Sequence, residues 1–150
     1  MQRRPVQLCR KQRLGAVIVE TAIVMPVFIV VLWGIVEFGR AFMVGQLATN
    51  AARYGARAAI LDGSTNTVVI NDVKDYFART VTGISANDVT VEISVTPGAG
   101  NQNPNHQLAA SHPRDVCQIT VSIPYERVAY FSPRFLQGAS LQGVCAMHHE

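Results

Sequence analysis

Glu20 is the only ionisable residue between Ala16 and Val36, a stretch of 21 residues reading AVIVETAIVMPVFIVVLWGIV. A carboxylate within a spanning helix costs roughly 2.5–3.5 kcal/mol at the bilayer centre, so one retained there marks a pairing or transport role. Glu20 lies four residues beyond Ala16. A cut between Gly15 and Ala16 creates an α-amine one helical turn from that carboxylate. The amine can pair with Glu20 of its own chain or of a neighbouring subunit. The plain alternative is a protonated or snorkelling glutamate near the membrane face.

Other candidate chemistry is thin. His106 and His112 fall in a stretch rich in Gly, Asn, Gln and Pro, and the adjacent His148 and His149 stand near the end of the sequence. Adjacent histidines on a terminus are poor at closing a metal site, so no metal is expected. Asp72 with Asp75, and Asp115 with Glu126, form nominal acid–base couples, but solvated charge at a helix surface and at strand ends explains them better. The chain carries no phosphate loop, Cys-x-x-Cys, nucleophile elbow or His-Glu-x-x-His. Neither an enzyme nor a cofactor is expected.

The elements that position Glu20 follow from hydropathy and charge. At 1.5 Å per residue the apolar run spans roughly 30 Å as a helix, the thickness of a bilayer core. Charged residues make up only 15% of the chain, against roughly 25% in typical soluble domains. Five of the 13 basic residues, Arg3, Arg4, Arg10, Lys11 and Arg13, precede the run, and no acid accompanies them. From residue 16 onward eight basic residues face ten acidic ones. The pI near 9.0 is therefore a property of the leader, and no basic stripe remains for nucleic acid. By the positive-inside rule the N-terminus stays cytoplasmic and the chain beyond about residue 37 is exported. Trp33 suits the far interface, and Glu37 with Arg40, at i and i+3, reads as the return to water.

Three fates compete for such an N-terminus. A secretory signal has an apolar core of only about 7–15 residues; here the core is longer, carries a carboxylate, and offers only a weak site at Gly39-Arg40-Ala41. An uncleaved single-pass anchor, serving an adhesin or envelope binding module, fits length and charge but leaves Glu20 unexplained. The third fate is a cut after Gly15. The pattern basic-Leu14-Gly15 followed by Ala16-Val17-Ile18-Val19-Glu20 resembles the leader of type IV prepilins. Glu20-Thr21-Ala22, Met25-Pro26, Gly34 to Ala41 and Asn50 to Arg57 narrow the resemblance to the TadE-like pseudopilins, minor subunits of the tight-adherence (Flp) pilus system, over roughly residues 13–60. The ending Met147 to Glu150 is a fainter echo. Thr21 stands where major pilins of this class usually carry tyrosine.

The resemblance implies a single-pass protein of the inner membrane, processed by a prepilin peptidase at Gly15 and Ala16. Glu20, Pro26, Glu37 and Arg40 would serve assembly. The implied partners are other pilin or pseudopilin subunits, the inner-membrane assembly machinery and membrane lipid, with adhesion or secretion as the output.

Beyond the span, Val44, Leu47, Ala48, Ala51, Ala52, Tyr54, Gly55, Ala58 and Ala59 continue a helical period, which predicts a helix to about Leu61 stopped by Asp62-Gly63-Ser64. Such a helix from Ala16 would run roughly 70 Å. Pro26 is expected to kink it. Gly34, Gly39, Gly45 and Gly55 read either as close-approach positions or as ordinary tolerance of glycine in membrane helices. A second helix is predicted at about 67–81, with Val69, Val73, Tyr76, Phe77 and Val81 as its apolar stripe. Alternation predicts strands at 89–95 and 116–123 and a last strand at 141–147, with a long loop at 97–112 that is functional or merely mobile. Cys117 and Cys145 are a candidate disulfide if exported, the alternative being two buried free thiols. The reading is an α+β chain: leader 1–15, membrane helix 16–36, exported continuation 37–62, and a small exported domain 63–150 with an antiparallel sheet.

Overall fold

The computed structural model describes residues 9–149, with side chains from residue 15 onward. Arg3 and Arg4 of the basic leader and Glu150 lie outside the described residues, as do the side chains of Arg10, Lys11 and Arg13. Two helices and three strands follow in the order α1 (Cys9–Ala59), α2 (Asn66–Thr80), β1 (Thr90–Thr96), β2 (Val116–Pro124) and β3 (Ser140–His148). This is the expected α+β class, and each expected element is present with its ends shifted by a residue or two, except that α1 begins at Cys9, within the expected leader, and not at Ala16. The chain divides into two compact units, Met1–Val36 and Glu37–Glu150.

In the first unit the described residues form one helical segment with Pro26 in its interior. Its apolar side chains are exposed, including Ile18, Ile23, Val27 and Ile35. Among the described residues one helix, Gly15–Ala59, is long and apolar enough to cross a membrane, and none of its most apolar window is buried by protein.

The second unit is built on the last part of α1. Glu37, Arg40, Ala41, Val44, Ala48, Ala51, Ala52, Gly55, Ala56 and Ala59 are buried, the spacing of a single helix face. Nearly all of the apolar members are small, so a sheet can come close. Ser64 Oγ lies 2.6 Å from the carbonyl oxygens of both Ala58 and Leu61, and Gly63 takes the left-handed backbone (φ 82°) that turns the chain. The predicted stop acts through that hydroxyl and that glycine.

The antiparallel sheet has the order β1-β2-β3. Val91, Ile93 and Val95 of β1, Cys117, Ile119, Val121 and Ile123 of β2, and Leu141, Cys145 and Met147 of β3 join the core. The opposite face carries Glu92, Ser94, Gln118, Thr120 and Gln142, the alternation of a sheet covered on one side only. α2 contributes Val69, Val73 and Phe77 to the core. Tyr76, expected in that stripe, is instead half-exposed and stacks on Tyr54 with ring centroids 4.9 Å apart.

Of the helix glycines, a Cβ on Gly55 would stand 2.5 Å from Val73 Cγ2 and 3.3 Å from Ile119 Cγ2, whereas Gly39 and Gly45 face open space. The tightest approach comes from β3, where a Cβ on Gly143 would collide with the backbone of Ala48 and Thr49. Gly143→Ala is therefore expected to destabilise the protein by about 1–3 kcal/mol through overpacking against backbone. Gly45→Ala, with room for its methyl, should stabilise it by about 0.5–1 kcal/mol. Denaturant unfolding of the full-length protein in detergent measures both, and equal effects would contradict the packing described.

Candidate functional site

Gly15, Ala16 and Glu20 lie on α1 within the first unit, so the bond between Gly15 and Ala16 is helical in the uncut chain. A Cβ on Gly15 would meet nothing within 4 Å among the described residues. Glu20 is exposed. It lines a shallow groove with Val17, Thr21, Val24, Met25 and Phe28. Five of these six groove residues bring no charge, and the Thr21 hydroxyl is turned back onto the helix, donating to Val17 O at 2.8 Å. From Gly15 to Val36 the helix thus offers one carboxylate on an otherwise uncharged surface. Such an acceptor fits a cation delivered by another chain or by a freed N-terminus.

Glu37 and Arg40 behave differently from the sequence expectation. Rather than marking a return to water, both are buried, at 5% and 8% exposure. Each is anchored to the segment between β2 and β3. The Glu37 carboxylate accepts hydrogen bonds from three consecutive backbone N–H groups, those of Arg134 at 3.2 Å, Phe135 at 3.0 Å and Leu136 at 2.8 Å. Successive amides converging in this way form an anion-binding nest. A buried carboxylate survives only when its lone pairs are met, and here backbone amides meet them.

Arg40 holds the same segment from its other end. Its Nε donates to Val128 O at 2.9 Å, its Nη1 donates to Tyr130 Oη at 3.2 Å, and the guanidinium lies 4.4 Å from the centre of the Tyr130 ring. Tyr125 completes the arrangement by donating its hydroxyl to Glu37 O at 2.9 Å. Burial pushes the Tyr125 hydroxyl pKa up, the Glu37 charge adds to that, and Arg40 works against it. The hydroxyl therefore stays a donor at physiological pH. Two charges one helical turn apart thus hold a 128–136 segment that has no strand or helix of its own.

These residues fall in the part of the chain that comparison with known proteins picks out. Residues 15–57 match the family model described as TadE-like protein. No curated protein and no solved structure matches the chain. The TadE-like segment begins at Gly15 and contains Ala16, Glu20, Pro26, Glu37 and Arg40, every residue singled out above for processing or assembly. It also contains the small-residue face that receives the sheet, except for Ala59. The residues that contact Glu37 and Arg40 from the 125–136 region lie outside it.

Beyond the TadE-like segment, Asp115 corrects a second expectation. It is fully buried, not a solvated strand-end charge. Its Oδ1 accepts from Asn101 Nδ2 at 2.6 Å and Gly98 N at 2.8 Å, and its Oδ2 accepts from His112 N at 2.8 Å. The loop at 97–112 is consequently tied down. Asn66 adds two bonds, to His106 O and from Leu108 N, both 2.8 Å, and Leu108 is buried. His106 is used structurally, its Nδ1 accepting from Val95 N at 3.2 Å. The backbone of His149 pairs with that of Asp115 and Arg114. Among the described residues no group of three or more His, Cys, Asp or Glu side chains is arranged to hold a metal ion.

Cys117 and Cys145 are free thiols. They share the inner face of adjacent strands, but Cys117 stands opposite Met147 and Cys145 opposite Ile119. That diagonal offset puts Cα atoms about 7–8 Å apart, beyond the usual span of a disulfide. Burial pushes the Cys117 thiol pKa up, with the Asp115 charge adding to it, so it stays protonated.

Glu37→Ala would strip the acceptor from three N–H groups and is expected to cost about 3 kcal/mol. Glu37→Gln, which keeps one acceptor oxygen but loses the charge-assisted bonds, should cost less. Tryptic cleavage after Arg134 in the full-length protein reads the same release, and cleavage as slow as in the parent would contradict the clamp. Asp115 gives a pH signature. The Asn101 amide, then the Gly98 and His112 N–H groups, hold its pKa at about 2, below the ordinary 3.8, and outweigh the opposing effect of burial. A depressed pKa contributes stability that is complete above the ordinary value and is lost as pH falls through the folded one. The protein should lose stability between about pH 4 and pH 2, and Asp115→Asn, weaker at neutral pH, should flatten that part of the profile measured by thermal unfolding.

Proposed function

We propose that this chain is a minor pilin or pseudopilin subunit of a tight-adherence type IV pilus system, cut by a prepilin peptidase between Gly15 and Ala16 and acting in pilus assembly for adhesion or secretion. Its role is structural, not catalytic. The observation that carries the reading is the coincidence of three features at one place: a TadE-like match that begins at Gly15, open space among the described residues where a Cβ on Gly15 would stand, and one carboxylate in the otherwise uncharged, exposed helical stretch from Gly15 to Val36.

The physical logic is as follows. An apolar helix with no protein cover is stable in lipid, where its backbone groups are satisfied within the helix. The basic leader keeps its N-terminus cytoplasmic and the second unit exported. Cleavage removes the leader's charge and leaves an α-amine at Ala16, about 6 Å along the helix from Glu20. In a low-dielectric surrounding these opposite charges attract strongly. A neighbouring subunit's amine can satisfy Glu20 as the helices pack, which sets the register between subunits. The inner-membrane assembly machinery and other pilin-like subunits are the partners of that step.

Two variants test the reading. Gly15→Leu should accumulate as uncut precursor in cells carrying the peptidase, and a mature-size product from that variant would count strongly against the cut. Glu20→Ala should insert and be processed normally yet fail to support pilus assembly. Normal piliation in that background would remove Glu20 from the mechanism.

A further inference from the structure

The segment held by Glu37 and Arg40 presents an unusual surface. Tyr130, Phe131 and Phe135 are all exposed, Phe131 to 64% of its area, and Phe38 and Met43 of α1 are exposed beside them. Phe135 stacks on Phe38 with ring centroids 6.4 Å apart, and Met43 Sδ lies 3.9 Å from the Arg40 nitrogen that also contacts Tyr130. From Val128 to Leu136 the sequence VAYFSPRFL carries one charge, the exposed Arg134. The carboxylate that accepts from the segment, Glu37, is buried.

We propose that this aromatic segment is a second membrane contact: the 130–135 loop lies in the headgroup region of the exported leaflet, with its rings at the acyl boundary and Arg134 on lipid phosphate. The inference rests on the anchoring reading above. Covalent geometry supplies the argument for lipid as the occupant. Phe38 follows Val36, the last residue of the apolar run, by two positions, so its Cα lies within about 7 Å of that of Val36. Phe135 rests on Phe38, and Tyr130 is held to Arg40. The headgroup zone is roughly 5–8 Å deep on each side of the bilayer. The loop is therefore tethered at the depth where tyrosine and other aromatic rings with one wet edge are favoured.

Charge points the same way. The second unit is acidic on balance, with nine acidic and eight basic residues from Glu37 onward, yet the 128–136 segment exposes a cation and no carboxylate. The nest around Glu37 and the bonds to Arg40 also hold the loop in shape, so its rings need no ordering on contact. A lipid surface fits these features.

The single tryptophan of the chain, Trp33, makes the test internal. Full-length protein is reconstituted in vesicles of phosphatidylcholine and phosphatidylglycerol, with or without lipid brominated high on the acyl chain. In the parent, quenching of Trp33 reports the anchor. In the Trp33→Phe/Phe131→Trp variant, the tryptophan reports the loop, and Phe135→Trp in the same background repeats the reading should the first substitution disturb the segment. The expected result is a blue-shifted emission that brominated lipid quenches in both loop variants, more strongly than lipid brominated near the chain ends. Unquenched loop tryptophans beside a quenched Trp33 would overturn the proposal while leaving the anchor intact. An unquenched Trp33 would overturn the anchor reading and this inference with it. A blue shift that grows with protein concentration and ignores bromine would assign the surface to another subunit and overturn contact with lipid.

Discussion

A sheet can approach a helix only as closely as the helix's side chains allow, and in the second unit that distance is set by alanine and glycine. Ala48, Ala51, Ala52, Ala56 and Ala59 give β2 and β3 a nearly smooth surface, and Gly143 answers with no side chain at all where β3 meets the backbone of Ala48 and Thr49. Everything downstream depends on this approach. It seats Ile119 against Gly55 and fixes where β2 ends and β3 begins. The segment that joins them is thereby delivered to Glu37 and Arg40. Larger residues on the face would lift the sheet and take the loop's amides away from the carboxylate that holds them.

The same helix face explains why two charges can be buried there. Glu37 and Arg40 continue the spacing of Ala41, Val44 and Ala48, so the helix must point them inward once the sheet docks. Burying either alone would be costly. Both are tolerated because the 125–136 region supplies matched partners: three N–H groups for the carboxylate, a carbonyl and a tyrosine for the guanidinium.

Much of this was legible in the sequence. The apolar run, the alanine-rich continuation, α2 and all three strands follow from periodicity, because each element buries one face and its pattern is local. Glu37 and Arg40 were misread because an i, i+3 pair at the end of an apolar run looks like ordinary surface charge. The signal available was their phase, which places them on the stripe of Ala41 and Val44 and not opposite it. Asp115 and the loop at 97–112 were opaque for another reason. The composition there is that of a mobile loop, and only Asn66 and Asp115, which lie outside it in the sequence, turn it into a fixed one. The cysteines failed on register: the shared face was readable, but the one-pair offset between Cys117 and Cys145 depends on how β2 aligns with β3.

Between Gly15 and Val36 the apolar side chains of the first unit stand exposed, while the buried polar groups of the second are met by groups of that same unit. That division is what a subunit requires if it is to wait in a membrane and later exchange lipid for neighbouring helices. The most direct measurement of that account is the N-terminal residue of the mature membrane-bound protein, by intact mass or sequencing. The account predicts a chain that begins at Ala16, with its amine one turn from Glu20. A membrane-bound chain that retains the basic leader would contradict it and leave Glu20 without the charge that explains it.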